Sequence, residues 1–388
     1  MSFPVLRRRH VGVLGRDRND ADSRRRQPVD PRKAKDSGGP PGDEKERVRI
    51  LSAEPLNAET PLEALTEDLT PESSFFGRSH FHRPDMAQRK PVLEVAGAVQ
   101  QALQLNIAGL QAMGTRTLTA TLECAGNGRT GLQPLPAGEP WGLGAVGTAR
   151  WTGVPLRAVL ESARLRPHVV EILAIGADRG RPPEVADEIP FARSLPLAKA
   201  RDPDTLLALQ MNGRPIPPEH GAPIRLIVPG WYGMASVKWL ERIEALAEPF
   251  RGYYQLGRYV YDHADGNPPI PVRTIRVRSV IVSPRDGDVV RQGDVVVRGK
   301  AWSGEGVVVR VLIGVDGGEP SQEATLLPPI SPHAWRAWEF TWDATNLGRH
   351  VLRSYAMDAK GNRQLEVGRW NRYGYGNNAV QAVAITVH

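Results

Sequence analysis

TRTLTATLECAGNGRTGLQPLPAGEPWGLGAVGTARWTGVP, residues 115–155, holds the single cysteine of a 388-residue chain. Leu118, Ala120, Leu122 and Cys124 alternate with Thr117, Thr119, Thr121 and Glu123. A two-residue period rich in β-branched side chains predicts a half-buried strand. Cys124 is then its last inward-pointing residue, and Ala125-Gly126-Asn127-Gly128 a sharp turn. A lone cysteine is ordinarily a small buried hydrophobe. This one stands at the mouth of a turn with Arg129 five residues on, where a positive charge favours the thiolate. A thiolate is a soft ligand suited to a transition metal.

Other loops that follow strand-like runs carry the polar residues an anionic group needs. Phe75-Phe76-Gly77-Arg78-Ser79-His80-Phe81 sets an arginine and a histidine among three phenylalanines, a low-dielectric frame for an anion. Strand-like runs appear at 91–97 and 168–176, the second leading to Asp178. Between them, Leu156, Val159, Leu160 and Ala163 recur at helical spacing. A strand is expected at 224–228, with Arg225 in it and His220 just before. Ser236-Val237-Lys238 is expected to open a helix carrying Val237, Leu240, Ile243 and Leu246, whose N-terminal N–H groups and lysine suit a phosphate.

The length accommodates two domains with cores of their own. A hydrophobic fraction of 40% and a charged fraction of 24% are those of a globular protein. No apolar run is long enough for a membrane span. One cysteine excludes an internal disulfide, CxxC zinc sites, iron–sulfur clusters and CxxCH haem attachment. Residues 1–50 hold 14 Lys and Arg against 8 Asp and Glu, so nearly all of the net charge of +7 lies there. That stretch is polar, Pro/Gly-rich and poor in aromatics, which predicts a disordered basic tail. Without interleaved aromatics it does not read as a nucleic-acid binder. No apolar segment follows Arg7-Arg8-Arg9, so the expected location is cytoplasmic, or periplasmic if the start codon is misassigned.

DHADGNPPIP at 262–271 marks a linker. It divides a domain over 51–261 from one over 272–388, where seven or so short strands predict an all-β sandwich of immunoglobulin type resting on Trp302, Trp338 and Trp342.

CAGNGR around Cys124, WTGVPL at 151–156, HGAPIRLIVPGWYGMASVKWL at 220–240, and AWSGEG with VDGG in the sandwich resemble the sulfite oxidase family of molybdenum enzymes. The resemblance spans roughly 70–388 and implies an α+β molybdopterin-binding domain followed by an immunoglobulin-like domain through which two chains pair. It implies molybdopterin and molybdenum as cofactors, with Cys124 as the protein's metal ligand. Cofactor contacts carry over to Phe76, Arg78, His80, Asp178, His220, Arg225, Ser236, Val237 and Lys238, and substrate contacts to Arg78, Arg129 and Trp141. Tyr259 matches the family's active-site tyrosine. Guanidinium forks suit an oxyanion better than lysine does.

The chain departs from the family pattern at Gly128 and Ser79, where the family has Arg and Asn. In Trp370-Asn371-Arg372-Tyr373-Gly374 the substrate arginine stands one place early, so either Arg372 or Tyr373 fills that place. The first 70 residues offer no axial-histidine pair, so a haem domain is not expected there. The implied reaction is oxygen-atom transfer, oxidising sulfite to sulfate. The electrons pass to an external acceptor, for which a c-type cytochrome is one candidate. The alternatives are another oxyanion or a sulfoxide as substrate, nitrate among them, and a non-catalytic anion-binding or assembly protein.

Overall fold

The computed structural model describes residues 48–86, 92–262 and 267–388. Most of the basic tail and the middle of the 262–271 linker lie outside the described residues. Arg49 and Ile50, assigned to the tail by composition, instead open the strand Arg49–Ser52. It pairs with Asn57–Glu59, which pairs with Gly77–Arg78. These three strands form a small sheet that delivers Arg78.

The cysteine strand, Arg116–Glu123, runs antiparallel to Val146–Pro155 along its whole length, with Leu118 opposite Trp151 and Leu122 opposite Gly147. Leu206–Met211 extends this sheet and carries Arg214–Pro215 and Arg225–Ile227. Leu118, Ala120, Leu122 and Cys124 all face one apolar core. The opposite face is open at Thr117 and half-buried at Thr119, but at Thr121 and Glu123 it is buried, contrary to the half-buried expectation, because the C-terminal half packs on that end. Thr121 Oγ1 accepts from the Trp335 N–H at 2.7 Å, and Glu123 Oε2 from Trp302 Nε1 at 3.0 Å.

A second sheet has the order Leu103–Asn106, Val92–Gly97, Leu240–Leu246, Glu171–Gly180, Ile189–Pro196. Leu156–Ala163 is helical as expected, with Leu156, Val159, Leu160 and Ala163 buried. The helix expected after Ser236 is absent, and Leu240–Leu246 is a strand, parallel to Val92–Gly97 and antiparallel to Glu171–Gly180. Its register slips between Leu240 and Arg242. The extra residue of that bulge leaves Leu240 and Ile243, three apart, both facing inward, which mimics a helical spacing. With no helix there, its N-terminal donors are lost as an anion site. Ser236 Oγ instead accepts the Val228 N–H at 3.1 Å.

The C-terminal half is two sheets over one core. Arg278–Ser283, Gly293–Trp302, Arg336–Ala344 and Thr325–Leu326 form one; Val289–Val290, Ala382–Val387, Gly348–Asp358, Val308–Val315 and Gln322–Glu323 form the other. Between them lie Val297, Trp338, Trp342, Val311, Leu352 and Ile385. Trp302 and Trp335, in contrast, pack into the core of the N-terminal half. Across the same seam Arg278 Nε meets Glu123 Oε1 at 3.3 Å, both side chains 2% exposed. Among the described residues no helix is long and apolar enough to cross a membrane.

Candidate active site

The loops bearing Arg78, Cys124, Asp178, His220 and Lys238 converge on one cleft. Phe76, Arg78, His80, Cys124, Asp178, His220, Arg225, Ser236, Lys238 and Tyr259 all line it. Cys124 caps its strand: its N–H bonds to Ala145 O at 2.8 Å, and its carbonyl accepts the Asn127 N–H at 2.9 Å to close the turn. Gly128 then takes φ 79°, with the Arg278 guanidinium 3.0 Å from where a Cβ would stand. The arginine that the family pattern places here would be strained in this backbone.

Burial decides the electrostatics. The cleft sets Arg78, Arg225 and Lys238 against Asp178 and Glu219. Desolvation lowers Arg225 to about 9 and also lowers Lys238, while it raises the Asp178 carboxyl. Lys238 Nζ donates to Ser79 Oγ at 2.7 Å and to Glu219 O at 3.1 Å. Arg225 donates to His220 O at 2.9 Å and lies over the Trp151 ring at 5.3 Å, but its Nε is buried without a partner. An unpartnered buried guanidinium N–H among desolvated cations is a site short of an anion.

Cys124 is 6% exposed, and burial pushes its thiol up; the opposing charges of Arg78 and Arg129 are smaller effects. Arg129 does favour the thiolate, as expected, but burial outweighs it. Only a metal displacing the proton would hold this sulfur ionised at neutral pH.

One tautomer follows from hydrogen bonding. Burial, then the charges of Arg78, Arg258 and Lys238, hold His80 well below its usual range, so its ring is neutral. Arg78 can only donate, so His80 Nδ1 accepts from it at 3.1 Å. His80 Nε2 must then carry the proton and donate to Tyr259 Oη at 2.7 Å. Burial also raises the Tyr259 phenol, which stays protonated. With its oxygen occupied by His80, the Tyr259 O–H is left to donate elsewhere.

Two family descriptions match the chain: an oxidoreductase molybdopterin binding domain over residues 80–254 and a Mo-co oxidoreductase dimerisation domain over 270–388. The sulfite oxidase of Arabidopsis thaliana is 32% identical over 375 residues, 87% of this chain and 93% of that one. The chain belongs to the sulfite oxidase family. The mitochondrial sulfite oxidase of Rattus norvegicus is 38% identical over 312 residues, 75% of this chain but only 56% of that protein. The chain thus spans little more than half the length of that relative. Among solved structures, the sulfane dehydrogenase SoxCD of Paracoccus pantotrophus superposes with a TM-score of 0.76 at 28% identity, covering 87% of each chain.

Four residues carried over from the sulfite oxidase family stand outside the cleft lining. Val237 is buried beneath it, its carbonyl accepting the Leu226 N–H at 2.9 Å. Trp141 is buried in the core behind the cysteine sheet. Arg129 is tucked behind the cysteine turn, its Nε donating to Tyr373 O at 2.8 Å and another guanidinium nitrogen to Glu139 O. Arg372 does not reach the cleft: its side chain is 51% exposed and pairs with Asp262 at 2.9 Å. Tyr373 does not fill that place either, since its ring lies beneath the guanidinium groups of Arg258 and Arg372 at 4.4 and 4.6 Å. The residue of this loop that reaches Tyr259 is Tyr375, which sequence reasoning missed. Its rings stack at 5.0 Å and 25°. The signal for it was the Gly374-Tyr375-Gly376 run that starts on the last residue of the motif.

His220 gives a pH prediction. Burial holds its imidazole down at about 3, against 6.5 in the unfolded chain. Below pH 6.5 the unfolded state therefore binds a proton that the folded state does not. Stability is expected to fall as pH drops, by about 1.4 kcal/mol per pH unit for this one group, until about pH 3. Urea unfolding midpoints from pH 7 to pH 4 should show a shallower slope for His220→Gln than for the wild type.

Proposed function

We propose that this chain binds molybdopterin and molybdenum in the Cys124 cleft and oxidises sulfite to sulfate, passing the electrons to an external acceptor. The observation that carries the reading is the Cys124 sulfur opening into a cleft whose cations outnumber its carboxylates and whose buried Arg225 Nε has no partner. Among the described residues no group of three or more His, Cys, Asp or Glu side chains is arranged to hold a metal. A metal bound through Cys124 would therefore bring ligands of its own, as a pterin dithiolene does. Arg225 and Lys238 suit the pterin's phosphate, with Phe76, His80, Asp178, His220, Ser236 and Val237 shaping the rest of its seat.

When bound, the molybdenum cofactor supplies oxygen-atom transfer and two-electron redox chemistry. The chain's residues bind and orient the anion. Arg78 and Arg129 bring positive charge to the side of Cys124, which attracts an oxyanion from water. The Tyr259 O–H, its oxygen held by His80, is free to donate to a substrate oxygen. In a dry site such a pre-aimed donor counts for far more than in water.

The two C-terminal sheets are read as an immunoglobulin-like sandwich over 272–388 that pairs two copies of the chain, following a catalytic domain over 51–261. A c-type cytochrome is the proposed acceptor. The exposed position of Arg372 favours one second reading, a different oxyanion such as nitrate. The test is full-length protein produced with the cofactor, its molybdenum measured and its activity followed by acceptor reduction with sulfite and, separately, by nitrate reduction. About one molybdenum per chain with sulfite-dependent turnover is expected. Metal-loaded protein that reduces nitrate and ignores sulfite selects the second reading, and protein that takes up no molybdenum defeats both.

A further inference from the structure

The geometry points to Tyr375 as a positioning residue for the reaction, acting by fixing the ring of Tyr259. This rests on the reading of the Cys124 cleft as the reaction site. Tyr375 is 3% exposed. Its backbone is clasped on both sides by one amide: Asn371 Oδ1 accepts its N–H at 2.9 Å, and Asn371 Nδ2 donates to its carbonyl at 2.9 Å. The next N–H, that of Gly376, bonds to Ala125 O at 2.7 Å, which ties the loop to the residue beside the cysteine. Gly374, on the other side, holds φ 61°, and a Cβ there would stand 2.9 Å from the Arg129 side chain.

A backbone so fixed sets the phenol ring in one place. One of its neighbours there is the Tyr259 ring; the Arg129 guanidinium lies over it at 5.7 Å. The charges of Arg258, Arg129 and Arg78 all bear on it. Tyr259 otherwise has the His80 hydrogen bond, the His80 ring edge-on at 5.6 Å, the Tyr254 ring tilted at 6.5 Å and the Arg193 guanidinium over its ring at 5.8 Å, so Tyr375 is its nearest and most nearly parallel ring. A phenol held at its oxygen can still swing about that point. The parallel ring of Tyr375 removes the freedom and so aims the O–H. In this chain the C-terminal loop thus contributes an aromatic brace to the pocket, in the region where the motif would have supplied a guanidinium.

The experiment is a double-mutant cycle on the full-length, molybdenum-loaded protein, with metal content and melting temperature measured for each variant. Tyr375→Phe, which keeps the stack, is expected to stay near wild type. Tyr375→Leu should lower kcat for sulfite more than it alters KM, by about 10- to 100-fold. In a Tyr259→Phe background, where no O–H remains to be aimed, the same change should cost much less. Should Tyr375→Leu take up less molybdenum, the comparison is read on Tyr375→Met, which keeps more of the volume. Equal losses in both backgrounds, or a Tyr375→Phe as damaged as the aliphatic variant, would overturn the inference. An active wild type indifferent to Tyr375→Leu sinks the brace alone; a loaded wild type without sulfite oxidation sinks the proposed function.

Discussion

Replacing Cys124 by serine is expected to reduce sulfite-dependent turnover to background and to strip molybdenum from the purified protein, with the melting temperature little changed. Serine keeps the shape of the strand end, and its backbone bonds to Ala145 and Asn127 do not involve the side chain. What it loses is a soft, ionisable sulfur; a hydroxyl does not give up its proton to a metal at neutral pH as a thiol does. Metal analysis and a sulfite assay on the same preparation check this. A serine variant that kept both molybdenum and activity would remove Cys124 from the metal's coordination.

The second large effect is expected far from the cleft's opening. Arg278→Met should destabilise the protein by about 3–5 kcal/mol, because it leaves the Glu123 carboxylate buried without its cation. Glu123 also accepts from Trp302 Nε1 and from Asn127 Nδ2, at 3.0 and 2.9 Å. Burial already raises its pKa in spite of Arg278, so the margin is thin. Asn127 in turn fixes the cysteine turn through the Ala145 N–H at 3.1 Å. Molybdenum affinity should therefore fall along with stability. Denaturant unfolding of Arg278→Met, and of the same chain with Glu123→Gln added, checks the cause: the second change should restore part of the loss. If the double variant were no more stable than the single, an uncompensated carboxylate would not be the reason.

The contrast between Cys124 and Glu123, neighbours in sequence, shows what was legible in the amino acids alone. The cysteine strand, its turn and the loops bearing Arg78, His80, Asp178, His220, Arg225 and Lys238 could be read from local pattern, because each has a distinctive run around it. Their convergence could not be derived from spacing; it came only through resemblance to a family. Glu123 looked like the solvated half of an alternating strand, since nothing local records that a distant sheet covers it. The bulge at Leu240 produced the opposite fault, a helical spacing made by a slipped strand register. Tyr375 was not legible because the family motif points to Arg372 and Tyr373, three and two residues earlier. A ring stacked on a residue more than a hundred positions away leaves no periodic trace in sequence. The Cys124 ionisation was misjudged for a different reason. Nearby arginines are visible in sequence, but the depth of burial that outweighs them is not.

The seam along Thr121 and Glu123 bears on how this chain can be cut. Severing it near the 262–271 linker would not yield a smaller working fragment. The front piece would bare a threonine that had accepted the Trp335 backbone N–H and a carboxylate that had been matched to the Trp302 indole and a guanidinium, and the rear piece would bare Trp302 and Trp335. Each half is the other's missing wall, so fusions and tags belong at the chain ends.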